Sequence, residues 1–240
     1  MRTVVEREGV CIVWGGSVSL SPTDDMVIRV ERALDLDSVG QLVASVISKK
    51  VAAGATHVLI DIPIGPTAKV RHAGMAARLA AQLIDTGAAL GVDVRVQKSD
   101  GTQPVGRGIG PALEAADVLA VLRRDPESPQ DLRDRSLRIA GALLEMGGAA
   151  IAGDGMAKAG VLLDSGAAWT NFHAICEAQG GFREPPCAQQ THAVIPERAG
   201  VVAHVNMRSL AKAAKLAVAP ADKAAGIQMH VRLGQELERG

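Results

Sequence analysis

The sequence predicts an α/β protein whose parallel or mixed sheet is flanked by helices. Three observations indicate this fold class. The segment HVLIDI, residues 57–62, is short, apolar and rich in β-branched residues without alternation, as expected for a strand covered on both faces. Helical and extended patterns alternate along the chain before and after it. Short glycine-containing loops separate these segments.

The first elements are predicted around residues 10–54. VCIVW, residues 10–14, resembles a short buried strand, the following GGSVSLSPTDD a loop, and MVIRVERALDL an extended segment. Residues 39–47 place Val, Leu and Ile at helical spacing, so we predict a helix that begins at Asp37 or Ser38 and ends at Gly54.

The remaining elements follow the same logic. Apolar periodicity predicts helices, an alternating segment predicts a second strand at 92–101, and GRGIG predicts a loop. The predicted helices lie within residues 68–91, 111–123, 128–149 and, as two segments, 156–181. Trp169, Phe172 and Ile175 share one helix and are expected to be core residues.

A change of composition near Gly180 indicates a boundary. A proline-containing linker is followed by short strands on either side of an Ala-Lys helix, which together predict a β-rich α+β module. The predicted division is a first strand of the α/β body, part of a small helical domain, the α/β domain and the truncated C-terminal module, at 1–16, 17–53, 54–182 and 183–240.

Composition excludes several classes of function. The chain has 26 basic and 26 acidic residues and only 2% aromatic residues, which argues against a general nucleic-acid-binding protein. No apolar run is long enough to span a bilayer, and three widely separated cysteines predict reduced thiols in a cytoplasmic protein. The six histidines are dispersed, so we expect no metal site.

Candidate ligand-binding residues cluster between positions 24 and 49. Ser45 and Lys49 are four residues apart and share one face of the predicted helix. Asp24 and Asp25 follow Ser-Pro-Thr, a context typical of a helix cap or a turn. The alternative is that one of them acts as a general acid or contacts a ligand. Arg29 suits a planar carbonyl or a phosphate, although exposed edge charges are more common.

The glycine loop GRGIG, residues 106–110, leaves two interpretations open. A loop between a strand and a helix can offer backbone amides to a phosphate. However, the spacing is G-x-G-x-G rather than G-x-G-x-x-G, and neither a Walker A motif nor a GxSxG motif is present. The alternative is a tight turn that permits close packing.

Several motifs together resemble the thymidine phosphorylase and AMP phosphorylase family of pyrimidine-type nucleoside phosphorylases. The segments that carry the resemblance are CIVWGGSVSLSPTDDMVIRVERALDLDS, LVASVISKKVAAGATHVLIDIPIGPTAKV, DGTQPVGRGIGPALEA, LLEMGGA and KAAGIQMHVRLG. They occur in the family's order over nearly the whole chain. The chain most resembles bacterial thymidine phosphorylases that share the WGG and IDIP-GP-AKV motifs with AMP phosphorylases.

The resemblance implies phosphate-dependent cleavage of a pyrimidine nucleoside to free base and pentose 1-phosphate. Phosphate is then the co-substrate, with no other cofactor, and the protein is a homodimer with a helical and an α/β domain. Ser45 and Lys49 match the family's base-binding Ser and Lys, and Arg29 matches the Arg better than Arg32 does. Asp24 or Asp25 would supply a proton to the base in AMP-type members.

The resemblance also implies alternatives. Family chains contain a phosphate-binding loop that nothing here resembles, so we expect this chain to be a fragment that is inactive or impaired alone. It could instead have AMP phosphorylase-like activity on nucleoside monophosphates, or be a non-catalytic remnant or dimerising domain. The base, the sugar and any need for a 5′-phosphate stay open.

Overall fold

The structure is a computed structural model that describes residues 2–13 and 39–240, together with Pro22, Met26, Val27 and Val30. The helices in this part of the chain are α1 (Arg2–Glu8), α2 (Val39–Ala52), α3 (Ala73–Ala89), α4 (Pro111–Arg123), α5 (Gln130–Met146), α6 (Gly155–Asp164), α7 (Ala167–Ala178) and α8 (Met207–Leu216). The strands are β1 (His57–Ile64), β2 (Asp93–Asp100), β3 (Gly108–Ile109), β4 (Gly200–Val201), β5 (Ile227–Gln228) and β6 (Glu236–Leu237).

The described strands form three two-stranded sheets. β1 and β2 are parallel, paired from His57 with Asp93 to Ile64 with Asp100, and α3 connects them. This strand–helix–strand unit confirms the α/β prediction. The other two pairs, β3 with β5 and β4 with β6, are antiparallel and only two residues long on each side.

The main core lies where α2 and α3 pack on β1 and β2. Ile47 of α2 and Leu83 of α3 are the largest fully buried side chains, at 2% and 1% exposure. Gly87 of α3 lets the helix approach the sheet, because an added Cβ would lie 2.2 Å from Cγ2 of Val94. The apolar residues predicted to share one face of the helix at 39–47 are the ones that α2 buries in this core.

A second core joins three of the following helices. Its buried residues are Val121 of α4, Leu137 of α5, and Ala159 and Leu163 of α6. The C-terminus of α2 is followed by Gly54 with a φ of 76°, as expected for a glycine cap. The N-terminus of α4 begins with Pro111, a residue favoured in the first helical turn. The predicted helices from residue 68 to 181 are all present, with α3 beginning at Ala73.

The structure corrects two predictions near the N-terminus. Residues 10–13 form no strand, and Val10, Ile12 and Val13 are exposed. The Gln179 side chain accepts a hydrogen bond from the Ile12 amide at 2.8 Å and donates to the Ile12 carbonyl at 2.6 Å, so a side-chain amide replaces a strand neighbour.

Residues Met26, Val27 and Val30 are helical where an extended segment was expected. Their spacing of three and four positions fits a helix. Asp37 and Ser38, the predicted helix start, lie outside the described residues, and the division into four segments stays a prediction. None of the helices in the described ranges is long and apolar enough to cross a membrane.

Candidate functional site

Helix α2 carries the two predicted base-binding residues that the structure describes. Val43 and Ile47 bury one face of the helix in the main core, which fixes its rotation. Ser45 and Lys49 lie one turn apart and are half-buried, whereas the neighbouring Lys50 is exposed. The arrangement can present a hydroxyl and an ammonium together to one polar ligand.

The other predicted site residues lie outside the described residues. They are Asp24, Asp25 and Arg29, and the alternative Arg32 lies there as well. Their convergence with Ser45 and Lys49 therefore stays a prediction.

A partly buried ion pair lies on β1, close to the carboxyl edge of the parallel strands. Asp61 pairs with Arg135 of α5, and both side chains are about 15% exposed. Asp61 also accepts a hydrogen bond from the Ser99 hydroxyl at 3.0 Å, and Arg135 donates to the Asp100 carbonyl at 3.4 Å. Sequence analysis missed this pair, although a carboxylate inside the apolar run HVLIDI was the available signal.

The loop after β1 is closed on itself and against β2. The Gly65 amide donates to the Val70 carbonyl at 3.1 Å, and the Gly101 amide donates to the Ile64 carbonyl at 2.9 Å. An added Cβ at Gly65 would lie 2.2 Å from the Gly101 carbonyl oxygen, so only glycine fits there. The sequence IGPTAKV is thus held as a compact loop at the edge of the sheet where α/β proteins bind ligands.

The backbone amides of the glycine loop GRGIG donate hydrogen bonds to carboxylates of the same chain. Asp117 of α4 accepts from the amides of Arg107 and Gly108, at 2.6 and 2.7 Å. Asp131 accepts from the Gly106 amide at 3.1 Å. Glu114 of α4 accepts from the amide of Gly110, the residue before α4, at 3.0 Å.

These bonds decide between the two interpretations of the loop. A phosphate on the same amides would have to displace several carboxylates and then face their negative charge. Close packing also requires glycine, since an added Cβ at Gly108 would lie 2.4 Å from the Leu113 carbonyl carbon. The structure therefore favours the tight packing turn over a phosphate cradle.

Trp169, Phe172 and Phe182 form a small aromatic cluster beside α7. The Trp169 ring is edge-on to Phe182 at 5.6 Å between centroids, and the guanidinium of Arg123 lies 4.7 Å from the Trp169 centroid. Arg123 also pairs with Glu184, and this hydrogen bond raises the pKa of the guanidinium. Ile175 is buried, while Trp169 and Phe172 are half-buried. The cluster anchors the linker through Phe182 and Glu184. Its ring faces are in contact with residues of the same chain.

All three cysteines of the chain lie within the described residues. Cys11, Cys176 and Cys187 are all unpaired. Burial, with a smaller effect of the neighbouring Glu177 charge, raises the pKa of the Cys176 thiol and so lowers its thiolate fraction near neutral pH. In the described ranges, no group of three or more His, Cys, Asp and Glu residues is placed to hold a metal ion.

Comparison with known proteins finds relatives that are similar to this chain over all of its residues. It is 62% identical over all 240 residues to a protein of Hahella chejuensis named "Putative thymidine phosphorylase", of which it covers 48%. Proteins of the same name from Maricaulis maris and Parvibaculum lavamentivorans are 59% and 55% identical over the same length, with 46% and 48% covered. The chain is a homologue of these proteins along its whole length.

The chain spans about half the length of the curated relatives it matches. These identities confirm the resemblance found in the sequence. No family model matches the chain.

Proposed function

We propose that this chain supplies the base-binding side of a thymidine phosphorylase-like pentosyltransferase. The observation that carries the proposal is its identity of 55–62% over the full chain with proteins of that name. The half-buried pair Ser45 and Lys49, on a helix anchored by Ile47, supports it. The substrates are a pyrimidine nucleoside and phosphate, and phosphate is a co-substrate rather than a cofactor.

The chemistry needs stabilisation of a leaving base. A phosphate oxygen bonds to the sugar's anomeric carbon as the bond from that carbon to the base nitrogen breaks, and the electron pair leaves on the base. Lys49 and Arg29 would stabilise the negative charge on the base oxygens, and Ser45 would donate a hydrogen bond that orients the ring. Asp24 or Asp25 would then protonate the base.

The assembly and location belong to the same proposal. We expect a homodimer in the cytoplasm, where the three unpaired thiols would stay reduced. Sedimentation of the purified chain would show the dimer as a mass twice 24.8 kDa.

The first experiment is phosphorolysis by the purified chain, followed by release of free base from thymidine, uridine and AMP. Base release that requires phosphate supports the enzyme, and the preferred substrate separates thymidine from AMP phosphorylase-like activity. Without turnover, titration with thymine tests the base-binding side alone. A folded chain that neither turns over nor binds a base would contradict the proposal and favour a non-catalytic domain.

A matched pair of lysine variants tests the assigned residues. Lys49→Ala should weaken thymine binding or turnover at least ~10-fold, because it removes a cation that stabilises the leaving base. Lys50→Ala removes the same charge from the next, exposed position and should change neither. Equal effects of the two substitutions would overturn the role assigned to Lys49.

A further inference from the structure

Among the long stretches of this neutral chain that contain no acidic residue are residues 62–84 and 198–221. An even spread of the 26 acidic residues over 240 positions would place about five in them. Both stretches do contain basic residues, which are Lys69, Arg71, Arg78, Arg198, Arg208, Lys212 and Lys215. Charge is therefore segregated in a chain whose totals balance.

The fold brings parts of both stretches to one cleft. It has a volume of about 300 Å³ and lies between the loop after β1 and the start of α8. Arg71 comes from the loop, while Arg208 and Lys212 lie one helical turn apart on α8. Three cations thus line the cleft together with polar Thr67, Asn206 and Ser209, and no carboxylate of the described residues lines it.

The three cations have no charged or hydrogen-bonded partner for their side chains in the described part of the chain. Other arginines there form ion pairs, including Arg123, Arg133, Arg135 and Arg232. In the same ranges, Arg71, Arg208 and Lys212 make neither an ion pair nor a side-chain hydrogen bond. Like charges around one cleft repel each other, so an anion in the cleft would relieve the repulsion.

Backbone hydrogen bonds fix the walls of the cleft. The Met207 amide donates to the Thr67 hydroxyl at 3.2 Å, which joins α8 to the loop. The Ser209 amide donates to the Asn206 side chain at 3.0 Å, which caps the helix. These two amides are occupied, so we assign ligand recognition to the side chains that line the cleft.

We propose that this cleft binds a phosphate-class oxyanion, either inorganic phosphate or the phosphate group of a small ester. Two guanidinium groups can each offer paired N–H donors to phosphate oxygens, and the ammonium adds a third charge. The proposal does not depend on Ser45, Lys49 or phosphorolysis, since none of them contributes to the cleft.

Isothermal titration of the 240-residue chain with inorganic phosphate and with ribose 5-phosphate tests the site. We expect one saturable site per chain, and the tighter of the two ligands identifies the source of the oxyanion. The triple variant Arg71→Gln, Arg208→Gln, Lys212→Gln should weaken binding at least ~10-fold, as loss of charge-assisted hydrogen bonds requires.

The matched control removes three cations from the same two stretches but outside the cleft: Arg78→Gln, Arg198→Gln, Lys215→Gln. It should bind as the unaltered chain does, because its net charge changes equally while the cleft stays intact. Equal weakening in both triple variants, or no saturable binding of either ligand, would overturn the proposal. Lys212→Gln alone, checked by circular dichroism, provides the same comparison against Lys215→Gln if the triple variants do not fold.

Discussion

Asp61 shows how one residue can connect two parts of the fold. It lies in an apolar strand, yet its carboxylate is paired with Arg135 and accepts from the Ser99 hydroxyl. Its other oxygen, Oδ1, is buried and has no hydrogen-bond partner among the described residues. A buried carboxylate costs free energy to desolvate, so this residue is tolerated only while Arg135 remains beside it.

Asp61→Ala should lower the free energy of unfolding by about 3 kcal/mol, because it leaves Arg135 as a buried, unpaired charge. Urea denaturation measures the change. Asp93→Ala is the control, since the exposed pair of Asp93 with Arg95 at 3.8 Å should contribute less than about 1 kcal/mol.

The double variant Asp61→Leu, Arg135→Met removes both charges and should recover part of the lost stability. A loss for Asp61→Ala no larger than that for Asp93→Ala would show that the pair is effectively solvated.

At the scale of elements, α5 and α6 are joined by a glycine contact. An added Cβ at Gly141 of α5 would lie 2.5 Å from the Met156 amide nitrogen, and one at Gly155 of α6 would lie 2.2 Å from the Gly141 carbonyl oxygen. The two backbones approach so closely that no side chain fits between them. Gly160 of α6, in contrast, has open space around its Cα.

Two glycine substitutions should therefore change the free energy of unfolding in opposite directions. Gly160→Ala should raise the free energy of unfolding by about 0.5–1 kcal/mol, because alanine loses less backbone entropy in a helix. Gly141→Ala should lower it by about 2 kcal/mol through overpacking. Thermal unfolding of the two variants beside the unaltered chain measures both, and a stabilising Gly141→Ala would contradict the close contact.

At the scale of the whole molecule, the C-terminal segment is attached through the glycine loop. Arg232 donates to the carbonyls of Pro104 and Gly106 at 3.0 and 2.8 Å and pairs with Asp131 at 3.2 Å. The Met229 amide donates to the Arg107 carbonyl at 2.8 Å. The carboxylates accept from amides of the loop and Arg232 donates to its carbonyls, so both kinds of backbone group are held.

Arg232→Ala should loosen this attachment while leaving the main core intact. Unsatisfied carbonyls and a lost ion pair should cost about 2 kcal/mol. Hydrogen–deuterium exchange should become faster in peptides covering residues 226–237 but not in those covering β1. Arg239→Ala, a change of the same type at an exposed position, is the control and should leave exchange of that segment unchanged except at the last residues.

The sequence by itself determined the regular local structure and the family resemblance. Helices α2 and α4 follow from apolar spacing, a glycine in the left-handed region and a proline at the first turn, which are properties of neighbouring residues. β1 was recognisable because a buried strand needs a short, continuous apolar run. Ser45 and Lys49 could be placed on one face for the same local reason.

Tertiary structure alone decided which polar groups neutralise each other. Asp117 lies only about ten residues from the glycine loop, but only the fold shows that its carboxylate accepts hydrogen bonds from the loop amides. The partners Asp61 and Arg135 are 74 residues apart, and the Ile12 backbone is paired with a side chain 167 residues away. Arg71 and Arg208 likewise line one cleft because the fold places a loop beside a distant helix. Periodicity reports the burial of a segment's own face, whereas pairing of charges depends on where distant segments meet.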